Sequence, residues 1–358
     1  MKRITTRDVA NEAKLSLATV DRVINRRAGV SPKAVAKIQT AIKKLGYVRD
    51  MNAVNLVKGR VYRIRFILPD SDNDFMDQLQ NEIRALKPSE ELNRTTVDIH
   101  CVAALDASAL AAALDSVPSD KYTGVVFVAN DTPVVADAVR RLKARGIIAI
   151  TIVSDITCSA VDHFVGINNI AAGRTAASLL GRFIASSNTV NDVATVSTEK
   201  PKVAIVAGSM MLSDHVQRRI GFEQVFSSEY PQLEILPAVQ GHDDNSLTQN
   251  LLGELFNKHP DIVGLYSLGA AKIGLKNSLK ERKGSSKITT IVHDLTDVTR
   301  AGLLDDTFTA VINQDPAHQV RSAVRVIKAI SDNLPISQSK ERIRIDIYVR
   351  DNLPELTA

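Results

Sequence analysis

At 358 residues with a formal net charge of +5, 44% apolar residues and two cysteines, the chain is long enough for two or three domains with cores of their own. No apolar run approaches the roughly 18 residues that span a bilayer, and no basic segment leads into an apolar one, so no membrane partner is expected and a cytoplasmic, nucleoid-associated location is. Cys101 and Cys158 lie far apart with no CxxC or Cys/His cluster, which argues against a disulfide framework or a zinc site and predicts two buried thiols.

The charge is unevenly placed. Residues 1–60 carry 14 Lys and Arg against 4 Asp and Glu, a net +10, whereas the other 298 residues carry 31 against 36, a net −5. A small basic head on a mildly acidic body is what a polyanion-binding N-terminal domain requires. Within that head, Thr5 followed by Asp8 forms an acidic capping box that starts a helix over Thr6 to Ala13, with Val9, Ala10 and Ala13 facing inward. After a break at Lys14 and Leu15, Ser16 caps a second helix that turns Val20, Val23 and Ile24 inward. Leu17, Ala18, Asp21, Arg22 and Asn25 are left on its outer face. Ser31 and Pro32 begin a third helix with the stripe Val35, Ile38, Ile42 and Leu45 and a stop at Gly46.

Two helices joined by a short turn, the second with a polar outer face, read as a helix-turn-helix. That face is expected in the major groove, with Arg22 bidentate to guanine and Leu17 or Ala18 on thymine methyls. Thr6, Ser16, Thr19 and Ser31 complete the expected DNA-facing set of the head.

These residues carry a specific resemblance. Asp8-Val9-Ala10, the run S-x-x-T-V-x-R-V-x-N from Ser16 to Asn25, Val30-Ser31 and Leu45-Gly46-Tyr47 resemble the DNA-binding headpiece of the lactose-repressor (LacI) family, and a weaker likeness continues through the body. Three residues depart from the pattern. Lys14 stands at a usual turn glycine, Asp21 replaces a usual small hydroxyl residue, and Arg49 replaces a usual proline. The resemblance implies an all-α head over residues 1–50, a hinge helix over 51–60, and a two-lobed α/β domain of the type I periplasmic-binding-protein kind over 61–358. It also implies a homodimer on double-stranded operator DNA, with paired hinge helices levering Leu56, beside Ala53, into the minor groove. Alone, a segment of that length is too short to be a stable helix in water.

In the body, apolar runs alternate with helical patterns: YRIRFILP, TTVDIHCV, GVVFVAN and IIAITIV, then KVAIVAG, LEILPAV, IVGLYSL and ITTIVHD. That alternation predicts two parallel sheets with crossover helices, hence two Rossmann-like lobes. In such sheets ligands lie beyond the carboxyl ends of the strands. The candidates there are Asn73 and Phe75, then Asp131, Asp155, Arg218, Asp294 and Gln314, a set of amides, carboxylates, a guanidinium and a ring suited to a small sugar or polyol effector. By resemblance the family's ligand arginine falls on Arg218, its inter-lobe aspartate on Asp294 and its glutamine on Gln314, with lobe crossings near residues 162, 294 and 314. The asparagine usual after IVGLYSL is missing, Gly269 and Ala270 standing there instead. Asn169 is expected to cap the helix that follows it, and Asp131 to cap one starting near Thr132.

The run DSDNDF places Asp70, Asp72 and Asp74 like the start of a calcium loop, but Phe75 replaces the turn glycine and Asn81 the bidentate glutamate, so no metal is expected. With no phosphate loop, nucleophile elbow or H-E-x-x-H, no cofactor and no catalysis are expected either. The sequence reads as a ligand-controlled transcriptional repressor. The rival readings, a sugar-handling α/β enzyme or a sugar carrier with an incidental basic head, would need a catalytic motif or an export signal.

Overall fold

The computed structural model describes residues 4–24, 27–47, 60–186, 200–269, 271–282 and 287–355. They fall into two compact units, Met1–Val61 and Tyr62–Ala358.

The first unit contains helices α1 (Thr6–Ala13), α2 (Leu17–Ile24) and α3 (Pro32–Leu45). Each begins where a hydroxyl can take up an orphan backbone N–H. Thr5 and Asp8 cap reciprocally, with Thr5 N donating to Asp8 Oδ2 at 2.7 Å. Ser16 Oγ accepts from Thr19 N at 3.1 Å, and Ser31 Oγ from Ala34 N at 3.4 Å. α1 ends on Lys14 at φ 52° and α3 on Gly46 at φ 62°. The core is small: Val9, Ala10, Ala13, Val20, Ile38 and Ala41 are buried, with Val23, Ile24, Ile42 and Leu45 packed around them. Glu12 on α1 and Lys44 on α3 pair at 2.7 Å across its edge.

The second unit is an α/β body with two sheets. The first lobe holds β1 (Tyr62–Asp70), α4 (Asp74–Leu92), β2 (Thr95–Ala103), α5 (Ala107–Asp115), β3 (Gly124–Phe127), α6 (Pro133–Ala144), β4 (Ile148–Ile152) and β5 (His163–Val165). Its strands are all parallel, in the order β2-β1-β3-β4-β5. The second lobe holds α7 (Asn169–Ser186), β6 (Lys202–Ala207), α8 (Ser213–Glu229), β7 (Glu234–Ile235), β8 (Val239–Gln240), α9 (Asn245–Lys258), β9 (Ile262–Ser267), α10 (Lys272–Glu281), β10 (Thr289–His293), α11 (Asp297–Leu304) and β11 (Ala310–Gln314). Helix α12 (Pro316–Ser331), the short α13 (Gln338–Glu341) and β12 (Ile345–Tyr348) complete the body. The second sheet runs β12-β11-β10-β9-β6-β7, with β8 also on β6 and β12 antiparallel. β3, β6, β9 and β11 are buried along their whole length, as parallel strands covered on both faces must be.

Several expectations need correction. The segment LEILPAV forms two short strands, because Pro237 has no N–H to donate to a ladder. The chain does not change lobes near Asp294: β10 pairs with β9 and β11 in one sheet, so Asp294 lies in a loop within the second lobe. The passages between lobes lie between β5 and α7, between β11 and α12, which packs on α4 and β4, and between α12 and β12, which pairs with β11. The thiols are not buried; Cys101 is exposed on the edge strand β2, where the sheet has no neighbour to cover it, and Cys158 is half-buried.

Candidate functional site

On the head, the inward stripe of α2 leaves the opposite face to solvent. Ala18, Asp21 and Arg22 are exposed and Leu17 retains 43% of its surface. Thr19 is half-buried, its hydroxyl 2.8 Å from that of Ser16. Asp21 pairs with Arg27 at 3.6 Å, both side chains being more than half exposed. A bridge so open to water is weak. Thr6 sits half-buried in the first turn of α1, and Ser31 is exposed at the start of α3. Asn25, Ala53, Leu56 and all of the hinge expected over 51–60 except its last residue lie outside the described residues.

In the body, the carboxyl ends of the two sheets enclose a cavity. Of the seven strand-end candidates, Asn73, Phe75, Arg218, Asp294 and Gln314 line it and Asp131 and Asp155 do not. Its second-lobe wall is built around Arg218, which is 1% exposed. The position of that arginine follows from two glycines: a Cβ on Gly173 of α7 would lie 1.9 Å from the Arg218 carbonyl oxygen, and one on Gly221 of α8 would lie 2.1 Å from that of Ile170. Only glycines allow the two helices to approach this closely. Arg218 Nε donates to Asn169 Oδ1 at 2.9 Å and Nη1 to the Leu268 carbonyl at 2.6 Å. Nη2 has no hydrogen-bond acceptor, the nearest carboxylate being Asp214 Oδ2 at 3.5 Å.

Asp294 and Gln314 act as one unit. Gln314 Nε2 donates to Asp294 Oδ1 at 3.1 Å, Gln319 Nε2 of α12 donates to Gln314 Oε1 at 3.2 Å, and Lys272 Nζ lies 3.6 Å from Asp294 Oδ2. Beneath them, Tyr266 Oη and His293 Nε2 lie 2.7 Å apart, both residues fully buried. Burial, together with the neighbouring Arg218, His215 and Lys272, pushes His293 well below the ordinary imidazole range. Burial likewise raises the Tyr266 phenol. Both are therefore neutral at physiological pH.

Pattern reading missed three polar residues of this wall. Asp214 and His215 precede Arg218 by four and three positions, which places all three on one helix face, so helical spacing could have found them. Asp243 follows β8, the fragment of a strand that the sequence reads as continuous. Gly269, standing where the family's asparagine is usual, makes room for His215: a Cβ there would meet His215 Nε2 at 2.2 Å. Buried Asp214 Oδ1 and Asp243 Oδ1 have no hydrogen-bond donor. Leu105, Val153, Asp243 and Asp294, all lining the cavity, have φ between 57° and 67°. Such conformations cost about 1–3 kcal/mol each in non-glycine residues and concentrate where function requires them.

The remaining candidates have structural partners. Asp155 accepts from Thr151 Oγ1 at 2.5 Å, and its backbone N and O both engage Ser213 Oγ of α8, at 3.1 and 2.7 Å. It therefore ties one lobe to the other instead of facing the cavity. Asp131 accepts from Thr157 N and Oγ1 at 3.2 and 3.0 Å, while Thr132 caps α6. Asn168, not Asn169, caps α7, accepting from Ala171 N at 2.9 Å, which leaves Asn169 to orient Arg218.

Comparison with known proteins agrees with this division. Residues 5–50 match the model of bacterial regulatory proteins, lacI family, and residues 64–334 match that of the periplasmic binding protein domain. Catabolite control protein A of Staphylococcus xylosus is 40% identical over 76 residues, 21% of this chain, and the chain spans only 23% of that protein's length. The HTH-type transcriptional regulator pepR1 of Lactobacillus delbrueckii subsp. lactis is 25% identical over 78% of this chain and 77% of its own. Among solved structures, an ABC-transporter solute-binding protein from Burkholderia graminis C4D1M, in complex with D-arabinose, shares the fold of the body. Its TM-score is 0.69 at 19% identity, covering 83% of this chain and 98% of that one. Through its body the chain belongs to the periplasmic binding protein domain family, and it carries the DNA-binding head of the lacI family of bacterial regulatory proteins.

Proposed function

We propose that the chain is a sequence-specific DNA-binding transcription regulator, acting in the cytoplasm as a homodimeric repressor, whose operator affinity is set by a small sugar or polyol between the lobes. The observation that carries this reading is the set of buried, unpartnered atoms in the cavity: Arg218 Nη2, Asp214 Oδ1 and Asp243 Oδ1. Leaving a buried polar atom unsatisfied costs about 1–3 kcal/mol. A ligand whose hydroxyls both donate and accept removes that cost on the second lobe, and one that also touches the first-lobe wall selects the closed arrangement. The exposed face of α2 on the same chain supplies the output. The paired hinge over residues 51–60, with Ala53 and Leu56, would convert lobe angle into DNA affinity. Because the ionisable groups of the cavity are engaged in orienting one another, we read it as a binding site without a catalytic step.

Thermal unfolding of the purified chain against a panel of sugars, repeated with its promoter fragment present, tests the reading. A sugar that raises the unfolding midpoint and changes promoter affinity supports it. Binding of every duplex alike, with no sugar altering either quantity, would refute it.

A further inference from the structure

The two walls of the cavity differ in kind. The second lobe contributes Asp214, His215, Arg218, Asp243, Asp294 and Gln314. Opposite them, the end of β2 and the residues that follow contribute Val102, Ala103, Ala104 and Leu105, with Leu110 behind. Val102 packs in part on the first-lobe core, while Ala104 and Leu105 are half-buried and Ala103 is exposed, so part of this apolar surface is left to the cavity. The polar side chains on this side of the first lobe, Asp106 and Asn73, are each held in part by local hydrogen bonds. Asp106 Oδ1 caps α5, accepting from Ser108 N and Ala109 N at 2.9 Å each, while the Asn73 amide accepts from Phe75 N at 3.0 Å and reaches Asp243 Oδ2 at 3.5 Å. Asn130 and Ser154, which also line the cavity, stand beyond β3 and β4, away from the β2 edge. Charge narrows the choice further: Arg218 and Lys272 stand against four carboxylates, Asp106, Asp214, Asp243 and Asp294, an excess of two negative charges that disfavours an anionic or phosphorylated ligand.

Resting on the reading of this cavity as a sugar site, we infer that the ligand is a neutral monosaccharide with one apolar edge, of the 6-deoxyhexose class. Its ring hydroxyls meet the unpartnered atoms of the second lobe. Its methyl group lies on residues 102–105, whose side chains offer the hydroxymethyl oxygen of an ordinary hexose no hydrogen bond. Removing that oxygen from an apolar subsite strengthens binding, because the hydroxyl must otherwise be desolvated without compensation.

Matched pairs test this on the full chain by titration calorimetry: L-fucose against L-galactose, and L-rhamnose against L-mannose. At least one deoxy sugar is expected to bind about 10-fold or more tightly than its parent hexose, the scale on which a single group is discriminated in an apolar pocket. Leu105→Asn should bring the pair toward parity. Asparagine tolerates the φ of 57° at this position, so the loop is kept while an amide enters the apolar wall. Val102→Thr, nearly isosteric, is the second variant should the first not fold. Hexoses that bind as tightly as their deoxy partners, or a preference that survives both substitutions, would overturn the inference while leaving a sugar site standing. Binding of no member of either pair would overturn the inference, and a failure of the wider sugar panel would remove the sugar reading with it.

Discussion

Arg22 stands on the exposed face of α2, and its long side chain is the one there able to reach two acceptors of a guanine edge at once. Arg22→Ala is therefore expected to reduce discrimination between operator and scrambled duplex by about 1–3 kcal/mol while leaving the salt-dependent, non-specific affinity nearly unchanged. Competition binding at two salt concentrations measures both quantities, and a variant that still selects its operator would remove Arg22 as the reader. Lys14, also in the head, takes the left-handed conformation that the family's glycine adopts without cost. Its backbone N–H donates to the Ala10 and Asn11 carbonyls, so the end of α1 holds the strained residue in place.

Elements position the effector site through close approach. α7 and α8 meet at Gly173 and Gly221, and the contact fixes the backbone from which Arg218 reaches Leu268 and Asn169. Gly221→Ala is expected to push the helices apart and cost about 1–3 kcal/mol, as overpacking does in a well-filled interior. The loss should appear in denaturant unfolding of the body and be accompanied by weaker sugar binding. If stability fell but sugar affinity did not, the contact would serve packing alone. Edge and interruption matter too: β2 ends the first sheet and leads directly into the apolar wall, while the break at Pro237 between β7 and β8 separates two short strands, after which the chain turns through Asp243.

Across the body, hydrogen bonds between the lobes flank the cavity. Ser213 engages Asp155 on one side, and Gln78 Nε2 donates to the Leu295 carbonyl at 3.0 Å and Thr296 Oγ1 to Asp74 Oδ2 at 3.3 Å on the other. These bonds join the two lobes, so on the proposed reading ligand and latches would favour the same arrangement, and a ligand that shifts most of the population would have to bind it by several kcal/mol more tightly than an open one. Arg218→Lys keeps the charge but loses the planar fork. It should leave operator affinity intact and abolish the effect of sugar on that affinity, as read by promoter binding with and without the sugar. A variant that responds at the wild-type sugar concentration would show that Arg218 does not carry the coupling.

Local chemistry settled much of this protein from the sequence alone. The caps Thr5, Ser16 and Ser31, the stop at Gly46 and the helical stripes fixed the head, because each depends on residues within a few positions of one another. Alternating apolar runs gave most of the parallel strands for the same reason, and the ends of those strands pointed to Asn73, Phe75, Arg218, Asp294 and Gln314. Which strand ends face one another is a matter of packing between distant segments. Only the tertiary structure turned Asp155 into a tie between lobes, gave Asn169 to Arg218, put a lobe passage after α12 in place of the one expected near Asp294 and placed β12 antiparallel at the sheet edge. It also set an apolar wall opposite a charged one, an asymmetry between residues more than 100 positions apart that no local pattern encodes.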